Sequence, residues 1–261
     1  MEQVLQSCNP IIPLLGKNPK SAAPAIMADI DLFWQERFEN PSPFTEREVK
    51  QLLASFGICT TREGLARTSA EAVQLAESIG YPVAMKIESP DIIHKSDMGG
   101  VVLSVDSKEV VVHAFEKIIA NAQLHKPNAD IHGVLIQEMV GDHVEAFVGI
   151  ARHDPFGFGI VVGPGGVLVE LIDDTAFDLL PVDAEGVQNL IDRTALKKLL
   201  VGFRGSAAAD RQALIETILK LTEIVHIYGS YLETIELNPI SVSSKGTGIV
   251  VLDAVIIHRA H

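Results

Sequence analysis

Cysteine is scarce: Cys8 and Cys59 are the two in 261 residues. They give neither a disulfide framework nor a metal-binding spacing, a usage that fits a reducing compartment. Basic charge is also short, with 21 Lys and Arg against 34 Asp and Glu and a formal net charge of -13. That balance argues against nucleic acid or an anionic membrane as a main partner, since both select basic surfaces. No apolar run reaches membrane-spanning length, and no basic stretch followed by an apolar core opens the chain, so the expectation is a cytoplasmic protein without a membrane partner. The nine histidines show no HExxH or other zinc spacing. Also missing is a G-x-G-x-x-G entering a helix, the signature of a dinucleotide-type fold. What remains is a chain that is 47% hydrophobic and 21% charged, enough to bury the core of one large domain or two small ones.

Residues 1–43 hold six of the thirteen prolines. Proline at that density opposes long helices and central strands, so this stretch is expected to be an extended arm or linker, with a short helix around Ile30–Phe38. At Thr45 the character changes. Thr45-Glu46-Arg47-Glu48 is a capping box, and Val49, Leu52, Leu53 and Phe56 follow at helical spacing. A second helix is expected after Thr68, then a strand from Tyr81, a strand over Val101–Val105 and a helix from Ser107 to about Leu124. Strands follow at Ile131–Val140, Glu145–Ala151, Phe158–Val162 and Val167–Ile172, helices at Leu196–Val201 and Arg211–Tyr228, and strands at Leu232–Val242 and Ile249–Ile257. The fold class is α+β, with helices on antiparallel sheets. The expected division is an arm over 1–43 and domains over 44–136 and 137–261.

Two stretches carry candidate chemistry. Tyr81–Val102 reads YPVAMKIESPDIIHKSDMGGVV: a strand with Lys86 among apolar residues, then a charged loop ending in Gly99-Gly100. A strand lysine needs an anionic partner or a route to solvent. Glycines lacking Cβ let backbone N–H groups converge on an anion, so the pair suits a phosphate; an edge-strand lysine and an ordinary glycine hairpin would leave the same pattern. Near the C-terminus stand Glu236-Leu237-Asn238-Pro239 and, on the next strand, Asp253. Glu236 and Asn238 are two apart and share a strand face, and Asp253 joins them if the hairpin is in register. Oxygen donors grouped so suit Mg²⁺, although acids at a strand edge are more often simply solvated.

In order along the chain, YPVAMKI with HKSDMGGV, LIQEMV, GPGGVLVE, LLVGFRG and ELNPI resemble the ATP-grasp, β-type part of ADP-forming acyl-CoA (acetate–CoA ligase-like) synthetases, and more distantly the succinyl-CoA synthetase β chain. The resemblance covers roughly Thr45 to Ile257. It implies an ATP-grasp fold of two α+β subdomains with the nucleotide between them, and ATP/ADP and Mg²⁺ as cofactors. Lys86 would meet the nucleotide phosphates under the backbone of Gly99 and Gly100. Glu138 and Val140 would present backbone to the adenine, and Glu145 would lie near the ribose. Asn238 and Asp253 would hold magnesium, with Glu236 assisting. His94, in HKSD, would accept a phosphoryl group, although a loop histidine is by itself more often a surface residue. The partner implied is a separate CoA-binding α-type subunit, through which the acyl-CoA or carboxylic acid arrives. Two alternatives stay open: another ATP-grasp carboxylate ligase without a phosphohistidine, and a regulatory ATP-grasp module of a protein acyltransferase. The chain departs from its relatives at Ala176-Phe177-Asp178-Leu179, where a basic residue is common, and at Ser206-Ala207 after Arg204-Gly205.

Overall fold

The computed structural model describes residues 24–259 except 41, 142, 167–173 and 203–206, with backbone alone for 24–31. The expected strand Val167–Ile172, Arg204 and the first half of the proline-rich arm lie outside the described residues. The chain forms two compact units. The smaller is Thr61–Gly141, and the larger joins the stretch ending at Thr60 to Asp142–His261.

The larger unit begins with α1 (Pro24–Glu39) and α2 (Glu46–Ser55). The second half of the expected arm is therefore helix, longer than anticipated, because no proline interrupts residues 25–40. Trp34 and Phe38 are buried, and Phe38 stacks on Tyr228 with ring centroids 4.3 Å apart. Helix α2 has its full capping box, with the Glu48 N–H donating to Thr45 Oγ1 at 3.3 Å and the Thr45 N–H to Glu48 Oε2 at 2.9 Å. Arg37 of α1 grips the same carboxylate at 2.9 Å. Burial would raise the Glu48 pKa, but the hydrogen bonds from Arg37 and Thr45 and the Arg37 charge outweigh it and hold it below its ordinary value of 4.5. Inside the unit, Lys50 Nζ meets Glu46 Oε1 at 2.7 Å, both side chains almost wholly buried.

The smaller unit runs β1 (Glu63–Ala66), α3 (Ser69–Ile79), β2 (Val83–Glu88), β3 (Val101–Val105), α4 (Lys108–His125) and β4 (Gly133–Glu138). Its sheet is antiparallel in the order β1-β4-β2-β3. Val83, Met85 and Ile87 of β2 and Val134 and Ile136 of β4 pack in one core with Ala72, Val73 and Ala76 of α3 and Val111, Phe115 and Ile118 of α4. Strand alternation then turns Ala84, Lys86 and Glu88 to the face away from the helices.

The larger unit continues with β5 (Val144–Arg152), β6 (Phe158–Pro164), β7 (Ala176–Leu179), α5 (Ala184–Asp192), α6 (Leu196–Val201), α7 (Arg211–Tyr228), β8 (Leu232–Val242), β9 (Ile249–Val251) and β10 (Ala254–His258). The order is β10-β8-β5-β6-β7, with β9 also on β8, all antiparallel. Ile235, Leu237, Val148 and Ile150 share a core with the α7 stripe Leu214, Ile218, Leu221 and Val225. Asp210 caps α7, accepting the Ala213 N–H at 3.3 Å, while its other oxygen takes the N–H groups of Gly246 and Gly248 at 2.9 Å each. One carboxylate thus joins the helix start to the β8–β9 turn.

Several expectations need correction. The boundaries fall at Thr60/Thr61 and Gly141/Asp142, not at 43/44 and 136/137. Local pattern marks α2 as a helix, but Val49, Leu52 and Leu53 are buried in the larger core, a non-local choice. The single strand over Ile249–Ile257 is two, broken at Leu252-Asp253. Helix α5 and strand β7 were not anticipated.

Candidate functional site

In the smaller unit, Lys86 lies mid-strand opposite Val101 and Leu135 and is buried, with 7% exposed. A cation in that position is held by electrostatics rather than hydration. Glu88, two residues along, is also buried and lies on the same face of the strand.

The loop after β2 has two fixed ends. At its start Ile92 is buried, and the Asp130 N–H donates to Asp91 Oδ2 at 2.7 Å. At its end the Ile87 N–H donates to Gly100 O at 2.8 Å. Gly99 has φ +62°, and a Cβ there would stand 2.7 Å from Asn121 Nδ2; at Gly100 it would stand 2.7 Å from Ile87 Cγ2. The glycines are thus demanded by close approach. Their N–H groups are used within the loop: Gly99 donates to Ser96 O at 3.0 Å and Gly100 to Lys95 O at 2.8 Å. Between the ends His94 is exposed, beside Ile93 at 54% exposure.

Glu138 closes β4. Its N–H donates to Arg62 O at 3.0 Å, and its carboxylate takes the Arg62 N–H at 2.8 Å and Nε at 2.7 Å. The Glu138 N–H is therefore committed to Arg62, a partner that no local signal in the sequence announces. Val140 follows the end of β4, half-buried.

In the larger unit the ladder between β8 and β10 is in register. Asn238 N–H donates to Asp253 O at 3.1 Å and Leu252 N–H to Pro239 O at 3.0 Å, so Asn238 and Asp253 face each other across the break. Glu236 pairs with Val255 and shares the Asn238 side of the strand, since Ile235 and Leu237 face the core. The β5–β8 register shifts between Ala146↔Ile240 and Val148↔Leu237, which sets Asn238-Pro239 against the single residue Phe147 as a bulge.

The GPGG turn folds onto this place. Gly165 N–H donates to Glu145 O at 2.8 Å and Gly166 N–H to Asn238 Oδ1 at 3.0 Å. A Cβ on Gly166 would come within 1.8 Å of Glu145 Oε2. His143 Nε2 lies 3.4 Å from Glu145 Oε1. The structure therefore brings Glu145, Asn238 and Asp253 into one neighbourhood on the acidic face of the larger sheet, with Glu236 alongside. An amide oxygen beside carboxylates is a donor set that fits a hard cation. Among the described residues no three His, Cys, Asp or Glu side chains gather at one point, so the Asn238 amide is essential to such a set.

Two helix-backed antiparallel sheets, one bearing a buried strand lysine and a glycine-closed loop, the other an Asn–Asp pair and a glycine turn, define a nucleotide-binding class of fold. The chain belongs to the ATP-grasp family, whose domain model matches residues 38–257. More particularly, it is 39% identical over 212 residues to acetate–CoA ligase [ADP-forming] II subunit beta of Pyrococcus furiosus, covering 81% of this chain and 90% of that one. It is 38% identical over 222 residues to 4-hydroxybutyrate–CoA ligase [ADP-forming] of Nitrosopumilus maritimus, covering 85% of this chain but 32% of that longer one. Among solved structures it resembles acetyl-coenzyme A synthetase 1 of Ca. Korarchaeum cryptofilum in complex with coenzyme A, Ca-AMPCP and HgCl+. The TM-score is 0.79 at 36% identity, over 88% of this chain and 99% of that chain. A second form of that enzyme holds Mg-AMPPCP with its phosphohistidine segment pointing towards the nucleotide-binding site, at TM-score 0.71 and 33% identity, over 88% of this chain and 99% of that one. No helix among the described residues is long and apolar enough to cross a membrane.

Proposed function

We propose that the chain is the nucleotide-binding subunit of a cytoplasmic ADP-forming acid–CoA ligase, which interconverts acyl-CoA, ADP and phosphate with acid, CoA and ATP. The observation that carries this is the exposed His94 at the tip of a loop whose preceding strand holds the buried Lys86.

In the direction of ATP consumption, a His94 ring nitrogen attacks the γ-phosphorus. The N–P bond forms as the bond to the β,γ-bridging oxygen breaks, and ADP leaves with that electron pair. The reverse returns the phosphoryl group to ADP. Lys86 neutralises charge on the phosphate oxygens, so catalysis is mainly positioning and electrostatics. Magnesium, when bound with nucleotide, supplies further charge neutralisation there; Asn238 and Asp253 would hold it, with Glu236 assisting. Glu145 serves the ribose, and Val140 with Glu138 the adenine.

The rest of the reaction belongs to a CoA-binding α-type partner. The absence of G-x-G-x-x-G from the sequence supports this, as does a relative named as a beta subunit beside another about three times as long as its matched part. Incubation with Mg-[γ-³²P]ATP should place acid-labile label on His94, while acyl-CoA turnover should require the added partner. Turnover of acyl-CoA by this chain alone would sink the split-subunit reading.

A further inference from the structure

Helix α4 turns an apolar face to its sheet through Val111, Ala114, Phe115, Ile118 and Ala122, and Asn121 stands half-buried at the edge of that face. Half-burying a polar amide there costs free energy unless its groups are hydrogen-bonded. Asn121 Nδ2 donates to Gly99 O at 3.0 Å, and the glycine's missing Cβ makes room for it. At the other end of the same loop Asp91 is held twice. Its Oδ2 takes the Asp130 N–H at 2.7 Å, and its carbonyl takes Lys126 Nζ at 2.6 Å. Asn121 and Lys126 belong to one helix and its cap, so both loop feet are tied to the same end of α4. The stretch between them carries Ile93, His94, Ser96 and Asp97, all exposed.

We infer that Asp91 and Asn121 are positioning residues, which fix the two pivots about which residues 92–98 present the His94 imidazole. The inference rests on the phosphohistidine reading of His94. The two ties set where the segment starts and ends, and the exposed residues between them set how far the ring reaches. Loss of either tie enlarges the set of positions the imidazole samples and lowers the share aligned for in-line attack. The ties leave the strand that carries Lys86 intact, so their loss acts on the rate of phosphoryl transfer and not on nucleotide affinity.

The test is single-turnover labelling of the full chain with Mg-[γ-³²P]ATP. Asn121→Ala and Asp91→Ala should slow His94 labelling about tenfold or more. The half-saturating Mg-ATP concentration should stay within about twofold of the unsubstituted chain. Asp91→Asn keeps an oxygen for the Asp130 N–H and should restore the rate. Asn121→Asp, equal in size but without the amide donor, should be as slow as Asn121→Ala, and it serves where the alanine variant folds poorly. The inference is overturned if the alanine variants label at the unsubstituted rate, if the loss appears in half-saturation instead, or if Asp91→Asn is as slow as Asp91→Ala. A labelled unsubstituted chain with equally fast variants removes the pivots alone. An unlabelled unsubstituted chain removes the phosphohistidine reading, and the pivots with it.

Discussion

The two units solve one problem in different ways. Each covers one face of an antiparallel sheet with helices and leaves the other face for polar groups. The smaller buries Lys86 and Glu88 on that face and places the exposed His94 on a loop rather than a strand. The larger collects oxygen, with Glu145, Glu236 and Asn238 on strands and Asp253 in the break between β9 and β10, where the ladder is irregular. Its other polar groups, Glu46 with Lys50, Glu48 with Arg37, and Asp210 with two glycines, act as internal ties. A regular run of strand holds Lys86 and Glu88 in a row on one face, whereas Asn238 and Asp253 meet at a departure from regular pairing.

Substitutions can break this contrast. The largest expected effect is at His94: His94→Ala should abolish phosphoryl labelling and acyl-CoA turnover with the partner while leaving Mg-ATP binding and the melting temperature unchanged; retained turnover would point to a ligase without a phosphohistidine. In the larger unit the corresponding blow falls on folding. Lys50→Met removes the ion-pair partner of the buried Glu46 carboxylate and should cost about 3–5 kcal/mol in urea denaturation, much of it regained in the Glu46→Gln/Lys50→Met double variant. A smaller effect comes from Lys86→Gln, which removes a charge-assisted bond of about 1.5–3 kcal/mol and should weaken Mg-ATP binding by calorimetry roughly tenfold to a hundredfold. Equal affinity would mean that the lysine serves the fold alone. The mildest is acidification. Because the Glu48 pKa is depressed on folding, its contribution is complete above the unfolded value of 4.5 and fades as pH falls through the lower folded value. Thermal melts of Glu48→Gln and the unsubstituted chain should therefore differ most near neutrality and converge in acid.

Local elements were readable where one stretch carries its own signal. The capping box at Thr45, the stripe of α7 and the strand around Lys86 all declare themselves. Helix α5 was also within reach, since Asp183 precedes it and Val187, Leu190 and Ile191 sit at helical spacing, yet proline and acidic neighbours obscured it. Which sheet α2 packs on was not readable, because an apolar stripe states that a face is buried but not against what. The candidate site divides in the same way. The Asn238–Asp253 pairing followed from strand alternation and hairpin register. The fate of the glycine N–H groups and of the Glu138 N–H depended on Ser96, Lys95 and Arg62, partners that residue types alone do not select.

The unbroken register across the β9–β10 gap has a consequence for insertions. Residues 243–248 form the turn between β8 and β9, so extra residues there lengthen a loop and leave every strand facing as before. One residue added between Val251 and Asp253 acts differently. It shifts the last strand by one place against β8, turning Asp253 from the acidic face toward the core and Ala254 and Ile256 out of it. The Asn238–Asp253 pairing and the packing of the final strand thus share one reading frame, and no single insertion there can harm the first while sparing the second.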